Sequence, residues 1–139
     1  EIGVRLVGSE MCIRDRDSDG KALYLKDLRG KFLYIYVWAS SYGEMDKEVQ
    51  AEWKKLVEEY KDNNILFATF CMGPSQWLGQ VKSLPGEHYV VNNTYAFYSR
   101  YMVTVMPRYM LIDPEGRIVD VDAPKPSSSA KLLLRSVGL

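Results

Sequence analysis

The apolar run FLYIYVWA at residues 32–39 constrains the fold of this chain more than any other feature of its 139 residues. The run is rich in aromatic and β-branched side chains, which is typical of a strand buried on both faces of a sheet. Residues 44–61 follow, with apolar side chains every three or four positions as in an amphipathic helix. A second apolar run, NILFATF, comes directly after that segment. Strand, helix and strand in this order predict a parallel βαβ unit and therefore an α/β fold.

Shorter elements are predicted on both sides of this unit. The segment ALYLKDLRGK alternates like a short edge strand and turns at Gly30, and PRYMLIDPEGRIVDVDA predicts a β-hairpin. In the hairpin we expect strands at 108–112 and 117–121 around a turn at 113–116. A final helix is predicted at 129–137, with the linker PKPSSS as its cap. Two more short helices are predicted in GPSQWLGQVKSL and TYAFYSRYM, and HYVV is either a strand or a loop.

The composition excludes several classes of function. Eighteen basic and eighteen acidic residues give a net charge of zero, so no broad attraction to nucleic acid or to an anionic membrane is expected. The longest apolar run is too short to span a bilayer. The two cysteines, Cys12 and Cys71, and the single His88 are too few for a structural zinc site. We therefore expect one domain with no metal, no cofactor and no nucleic-acid partner.

Residues 6–16, LVGSEMCIRDR, fit no strand, helix or turn pattern. Val7 to Asp15 back-translate, codon by codon, into the tail of a transposase adapter used in shotgun sequencing libraries. We therefore predict that residues 1–16 are an adapter-derived leader on a metagenomic gene fragment, and that the native domain covers 17–139. Cys12 then carries no function, and the native start, with any signal peptide or upstream domain, is missing. The structural alternative is an irregular edge strand at 10–16.

Three motifs resemble those of a known family. They are GKFLYIYVWAS from residue 30, MPR at 106–108, and the hairpin sequence LIDPEGRIV. Over residues 19–139 the chain resembles the thioredoxin-like fold, and within it the TlpA/ResA-like thiol–disulfide oxidoreductases (redoxins). The resemblance implies a three-layer α/β/α domain with a central mixed sheet and a C-terminal hairpin. The tail APKPSS resembles envelope-located members from Bacteroidetes-like bacteria, which implies a periplasmic or cell-envelope location.

The active-site turn departs from the family pattern. In the family, Trp-Ala-Ser is followed by Trp-Cys-Gly-Pro-Cys, and the first cysteine is a thiolate nucleophile at a helix N-terminus. Here Tyr42 and Met45 stand at the two cysteine positions, Gly43 is kept, and Glu44 replaces the proline. A phenol and a thioether form no dithiol couple. The sequence therefore predicts a redox-inactive binding or structural module with no catalytic residues.

Pro107 matches a family proline that is characteristically cis and lies beside the active-site turn. The resemblance implies a groove for an extended peptide or protein partner. Its candidate residues are Trp38, Tyr42, Gly43, Glu44, Met45, Met106 and Pro107. The simpler alternative, which we favour, is that Pro107 only shapes the start of the following strand.

Other residues with possible chemistry receive structural interpretations. Cys71 follows a buried strand, so we expect a small buried hydrophobe; the alternative is a thiol-dependent oxidoreductase that uses this single cysteine. His88 has no recognisable catalytic partner, and we expect it at the surface or at a strand end. Clustered methionines suit Cu(I), but without supporting cysteine or histidine ligands we interpret them as core residues. These methionines are Met45, Met72, Met102, Met106 and Met110.

Overall fold

The structure is a computed structural model that describes residues 12–15, 22–24, 28–39, 45–72, 81, 83–91 and 107–139. Its strands are β1 (Cys12–Asp15), β2 (Ala22–Tyr24), β3 (Phe32–Trp38), β4 (Ile65–Cys71), β5 (Glu87–Val91), β6 (Arg108–Ile112) and β7 (Ile118–Ala123). Its helices are α1 (Lys47–Glu59) and α2 (Ser128–Ser136). The predicted helices in GPSQWLGQVKSL and TYAFYSRYM lie outside the described residues.

The strands form one mixed sheet in the order β2-β1-β5-β4-β3-β6-β7. Strands β3, β4 and β5 run parallel, and β6 and β7 form the antiparallel hairpin beside β3. The predicted βαβ unit, the edge position of β2 and the C-terminal hairpin are therefore confirmed. The segment HYVV, for which strand and loop were both open, is a strand that pairs with β4.

Strand β1 lies inside the segment predicted to be an adapter-derived leader. It pairs with β2 on one side and β5 on the other, so it is an interior strand and not the irregular edge strand of the structural alternative. Pairing between strands uses backbone N–H and C=O groups, which every non-proline residue supplies. The pairing therefore does not decide where the segment came from, and its adapter origin stays a prediction.

Alternate residues of β3 divide the core into two halves. Leu33, Ile35 and Val37 pack on one face with residues of β4, β5 and β6. Tyr34, Tyr36 and Trp38 pack on the other face, together with both described helices. The sheet face toward α1 and α2 is thus strongly aromatic.

Helix α1 covers the aromatic face with the apolar stripe that its sequence predicts. Trp53, Leu56 and Tyr60 are buried, and Val49 and Val57 are partly buried against the same cluster. The helix spans Lys47–Glu59, which is shorter than the predicted 44–61. Its N-terminus is later because Asp46 has the extended backbone of an N-cap residue, with ψ of 145°.

The hairpin turn and the last helix are fixed by local hydrogen bonds. One carboxylate oxygen of Asp113, Oδ1, accepts hydrogen bonds from the backbone N–H groups of Glu115 and Arg117, at 2.9 and 2.8 Å. Gly116 follows in the left-handed region at φ 89°, where glycine is favoured. Ser127 caps α2 by accepting from the N–H of Ala130 at 3.4 Å. Helix α2 begins one residue earlier than predicted.

Candidate functional site

A pocket opens at the N-terminal end of α1, beside the end of β3 and the start of β6. Its volume is about 280 Å³. Among the described residues, those that line it are Tyr36, Met45, Asp46, Val49, Pro107, Tyr109 and Lys125. The pocket therefore joins the end of the predicted active-site turn to the proline that precedes β6.

Met45 is held in place by a side chain one turn further along the helix. The amide Nε2 of Gln50 donates to the carbonyl oxygen of Met45 at 2.6 Å. The next carbonyl, that of Asp46, accepts the first helical hydrogen bond, from the N–H of Gln50 at 2.8 Å. Gln50 thus ties the last described residue of the turn to the helix with both its side chain and its backbone.

Four aromatic rings form a row that runs into the pocket. Tyr36 lies directly opposite Tyr109 in the antiparallel pair of β3 and β6, and their ring centroids are 5.1 Å apart. Trp38 stacks near Tyr36 with an interplanar angle of 7°, and Tyr34 stacks against Tyr109 at 5.7 Å. Because the ring faces contact one another, Tyr36 and Tyr109 offer their polar edges rather than their faces to the pocket.

The hydroxyl groups of this row are not equivalent. Tyr34 donates to the carbonyl oxygen of Pro124 at 2.6 Å. Within the described part of the chain, Tyr36 and Tyr109 have no hydrogen-bond partner for their hydroxyls, although their residues are only 3% and 9% exposed. Both residues line the pocket. Their hydroxyls are therefore available to a bound group.

The carboxylate of Asp46 makes the electrostatic potential at these hydroxyls more negative. Burial, and next the charge of Asp46, raise the pKa of Tyr36 to about 12. Burial, then the neighbouring Tyr36 and Asp46, also raise the pKa of Tyr109. Asp46 is exposed and its side chain makes no capping hydrogen bond to α1. Its carboxylate is thus an open acceptor at the mouth of the pocket, and Lys125 supplies a positive charge on the same rim.

The structure brings two of the predicted groove residues together. Met45 and Pro107 line the same pocket. Trp38 lies behind Tyr36 in the core and does not line the pocket; its indole N–H has no acceptor among the described residues. Tyr42, Gly43, Glu44 and Met106 lie outside the described residues.

The remaining candidate residues lie in the core. Cys71 is fully buried at the end of β4, which agrees with a structural role. His88 is 3% exposed and is the second residue of β5, so the predicted strand-end position is confirmed and the surface position is not. Its Nε2 lies 2.8 Å from the carbonyl oxygen of Leu84 and donates to it, and its Nδ1 lies 2.8 Å from the hydroxyl of Thr69, which can either donate or accept. Both ring nitrogens are thus satisfied inside the protein, which makes burial of the ring possible.

Sequence reasoning missed most of the polar residues of the pocket. Tyr36 and Tyr109 were interpreted only as parts of apolar strands, and Lys125 as part of a linker. The alternation of β3 places Tyr36 on the α1 face, but its meeting with Tyr109 depends on the register between β3 and β6. Only Asp46 could be assigned a position from the sequence, because an acidic residue is common at the start of a helix.

No protein-family model and no curated protein sequence matches the chain. Solved structures do match it. A protein from Bacteroides vulgatus assigned as a thiol-disulfide oxidoreductase is 25% identical, with a TM-score of 0.73, over 99% of this chain and 93% of that one. A thiol-disulfide oxidoreductase from Bacteroides fragilis is 19% identical, with a TM-score of 0.74, over 94% and 99%. The chain therefore has the thioredoxin-like fold, and bacterial thiol-disulfide oxidoreductases are among its structural neighbours.

Proposed function

We propose that this chain is a thioredoxin-fold domain of the TlpA/ResA-like type that has lost its dithiol and binds an extended peptide or protein segment. The observation that carries the proposal is the sequence of the active-site turn, where Tyr42 and Met45 stand at the positions of the two cysteines. A disulfide exchange needs a thiolate that attacks and a second sulfur that resolves the mixed disulfide. Neither position supplies a thiol.

The charges around the pocket support the loss of thiol chemistry. The family's nucleophile depends on a site that stabilises a thiolate, and therefore a negative charge. Here the carboxylate of Asp46 lies close enough to raise the pKa of both Tyr36 and Tyr109. A field that disfavours a phenolate also disfavours a thiolate in the same place.

The pocket itself supports a retained binding role. Met45, Val49 and Pro107 give it apolar walls, while Tyr36, Tyr109 and Asp46 give it hydrogen-bonding groups. A mixture of apolar walls and a few convergent polar groups is characteristic of binding pockets. An extended segment that passes Pro107 would place its side chains against this surface.

The redox part of the proposal is tested by insulin reduction with dithiothreitol. We expect no acceleration over the uncatalysed reaction, both for the native chain and for a Cys71→Ala variant. The thiol-disulfide oxidoreductase from Bacteroides fragilis serves as the positive control. Clear turnover by the Cys71→Ala variant would contradict the proposal, because that variant retains no cysteine of the native domain.

The alternative function is a thiol-dependent oxidoreductase that uses Cys71. Its full burial argues against this, since a reactive thiol must meet its substrate. In a Cys12→Ser variant, which leaves one thiol, we expect alkylation of Cys71 to be as slow as global unfolding. Fast alkylation of the folded protein would instead favour the alternative.

The proposed location is the periplasm or the cell envelope. The resemblance to envelope-located proteins and the Bacteroides sources of the neighbours support it. Among the described residues, no helix is long and apolar enough to cross a membrane. Sequencing the intact gene upstream of residue 17 tests the location, because an exported protein needs a signal peptide there.

A further inference from the structure

Among the described residues that line the pocket, three side chains carry oxygen groups that can accept hydrogen bonds. They are the carboxylate of Asp46 and the hydroxyls of Tyr36 and Tyr109. The carboxylate makes no capping bond, and neither hydroxyl has a partner among the described residues. Tyr36 and Tyr109 are both more than nine-tenths buried as residues. Their hydroxyls are not among the fully buried polar atoms without a partner, so these oxygens are open to the pocket and can exchange water for a bound group.

The negative charge of Asp46 determines whether the pocket favours a cationic or an anionic group. Asp46 is negative, and its influence reaches both hydroxyls. An anionic group would be repelled by the carboxylate, whereas a cation would be attracted. A primary ammonium has three N–H donors that rotate freely and act as a compact charge. A guanidinium pairs in a flat fork with the two oxygens of one carboxylate, whereas the three rotating donors of an ammonium can reach three separate acceptor groups.

The rest of the pocket fits the stem that carries such a group. Met45, Val49 and Pro107 give the same pocket apolar walls beside these three acceptor groups. The volume of about 280 Å³ lies just below the roughly 300–1,000 Å³ found for small-molecule pockets, which suits a single extended side chain. Methylene groups of a lysine can lie against apolar surface while the ammonium reaches polar atoms.

From these contacts we infer that the pocket binds a primary ammonium group on an apolar stem, as a lysine side chain of the bound segment carries, with Asp46, Tyr36 and Tyr109 as its acceptors. This inference rests on the proposed peptide-binding function and names the chemistry that it recognises. Lys125, on the rim of the same pocket, opposes the incoming cation and limits the affinity.

The test is a titration with short acetylated and amidated peptides, followed by NMR or calorimetry. One peptide has a central lysine among alanines, and its partner has norleucine in place of the lysine. We expect the lysine peptide to bind about tenfold more tightly, as one charge-assisted hydrogen bond provides. An all-alanine peptide with a free N-terminus shows whether a terminal amine serves as well as a side chain; binding by it also supports recognition of an ammonium.

Variants assign the effect to the pocket. Asp46→Asn should remove the preference for the lysine peptide over the norleucine peptide. Asp62→Asn changes an exposed aspartate in the turn after α1 and should keep the preference. Lys125→Ala should strengthen binding of the lysine peptide several-fold. Thermal unfolding of each variant checks that the fold is intact.

The outcomes separate this inference from the proposed function. If the lysine and norleucine peptides bind equally, the inference is wrong and the peptide-binding function stands. If no peptide binds, the peptide-binding function fails and the inference fails with it. A preference for lysine that persists in Asp46→Asn would also overturn the inference, since the ammonium would then lie elsewhere.

Discussion

Two tyrosines on the same face of β3 show how position decides the role of a residue. Tyr34 and Tyr36 are both almost completely buried, and both belong to the same aromatic row. Tyr34 uses its hydroxyl to fix the carbonyl of Pro124, which joins the central strand to the segment before α2. Tyr36 presents its hydroxyl to the pocket. The first contributes to stability and the second is available for binding.

This difference predicts unequal costs for removing the two hydroxyls. Tyr34→Phe leaves a partly buried carbonyl without its donor and should lower the free energy of unfolding by about 1 kcal/mol. Tyr36→Phe removes no hydrogen bond within the described structure and should change it by less than about 0.5 kcal/mol. Urea unfolding followed by circular dichroism measures both. A loss in Tyr36→Phe as large as that in Tyr34→Phe would show that the Tyr36 hydroxyl has a structural partner.

At the scale of elements, the two described helices begin in different ways. Ser127 caps α2 with its hydroxyl, which also donates to the carbonyl of Lys125 at 2.7 Å. Asp46 occupies the equivalent position of α1, but its carboxylate makes no hydrogen bond to the helix N–H groups. A residue type that usually caps a helix is thus used at the pocket instead.

Because only Ser127 makes a capping hydrogen bond, alanine substitution of the two N-cap residues should lower the stability of the protein by different amounts. Ser127→Ala should destabilise the protein by about 1 kcal/mol, because α2 loses its capping acceptor. Asp46→Ala should cost less than half as much, since only its weak interaction with the helix dipole is lost. Chemical denaturation of the two variants in the same buffer checks the order. Equal losses would mean that Asp46 caps α1 in solution.

Two glycine turns give a second prediction at this scale. Gly30 and Gly86 have nearly the same φ, 110° and 109°, so alanine is strained at both. Among the described atoms, a Cβ at Gly30 meets nothing within 4 Å, whereas a Cβ at Gly86 lies 2.5 Å from the carbonyl oxygen of Phe67. Gly30→Ala should therefore cost about 1 kcal/mol, and Gly86→Ala at least about 2 kcal/mol more. Thermal unfolding midpoints in the reverse order would contradict this account.

At the scale of the whole molecule, the buried tyrosines make stability depend on pH in the alkaline range. Folding raises the pKa of Tyr36 from 10.0 to about 12, and burial raises that of Tyr34 and Tyr109 in the same direction. The folded state therefore holds these protons more tightly than the unfolded state. The resulting stability is fully present below pH 10.0 and is lost as the pH rises toward 12.

Urea midpoints measured from neutral pH to pH 12 test this dependence. We expect a steep decrease above pH 10 in the native chain and a shallower one in Tyr36→Phe, which lacks one of the titrating groups. Asp46→Asn removes one cause of the raised pKa of Tyr36, so that pKa should lie closer to the 10.0 of an ordinary tyrosine. The loss of stability above pH 10 should therefore be smaller in this variant as well. A decrease identical in all three proteins would show that other groups control alkaline unfolding.

The sequence predicts the fold of this molecule better than its site, for a physical reason. Strands such as β3 and β4 are predicted because burial on both faces demands apolar residues at every position, which a single segment displays. The pocket depends on pairs such as Tyr36 and Tyr109, which meet only through strand register and distant chain segments. The burial of His88 could not be predicted for the same reason, because it depends on hydrogen-bonding groups of Leu84 and Thr69, although its position at a strand end could. Of the residues that line the pocket, only Met45 and Pro107 were predicted from the sequence to lie close together, and that prediction came from the resemblance to a family.

The aromatic row gives the protein its own optical signal for the pocket. Trp38 stacks near Tyr36, and Tyr36 lines the pocket, so the indole fluorophore is one ring away from any bound group. Stacked rings at fixed angles also couple their transitions and give strong near-ultraviolet circular dichroism. Binding can therefore be followed on unlabelled protein, with Trp38→Phe as the silent control and Trp53, on α1, as an internal reference.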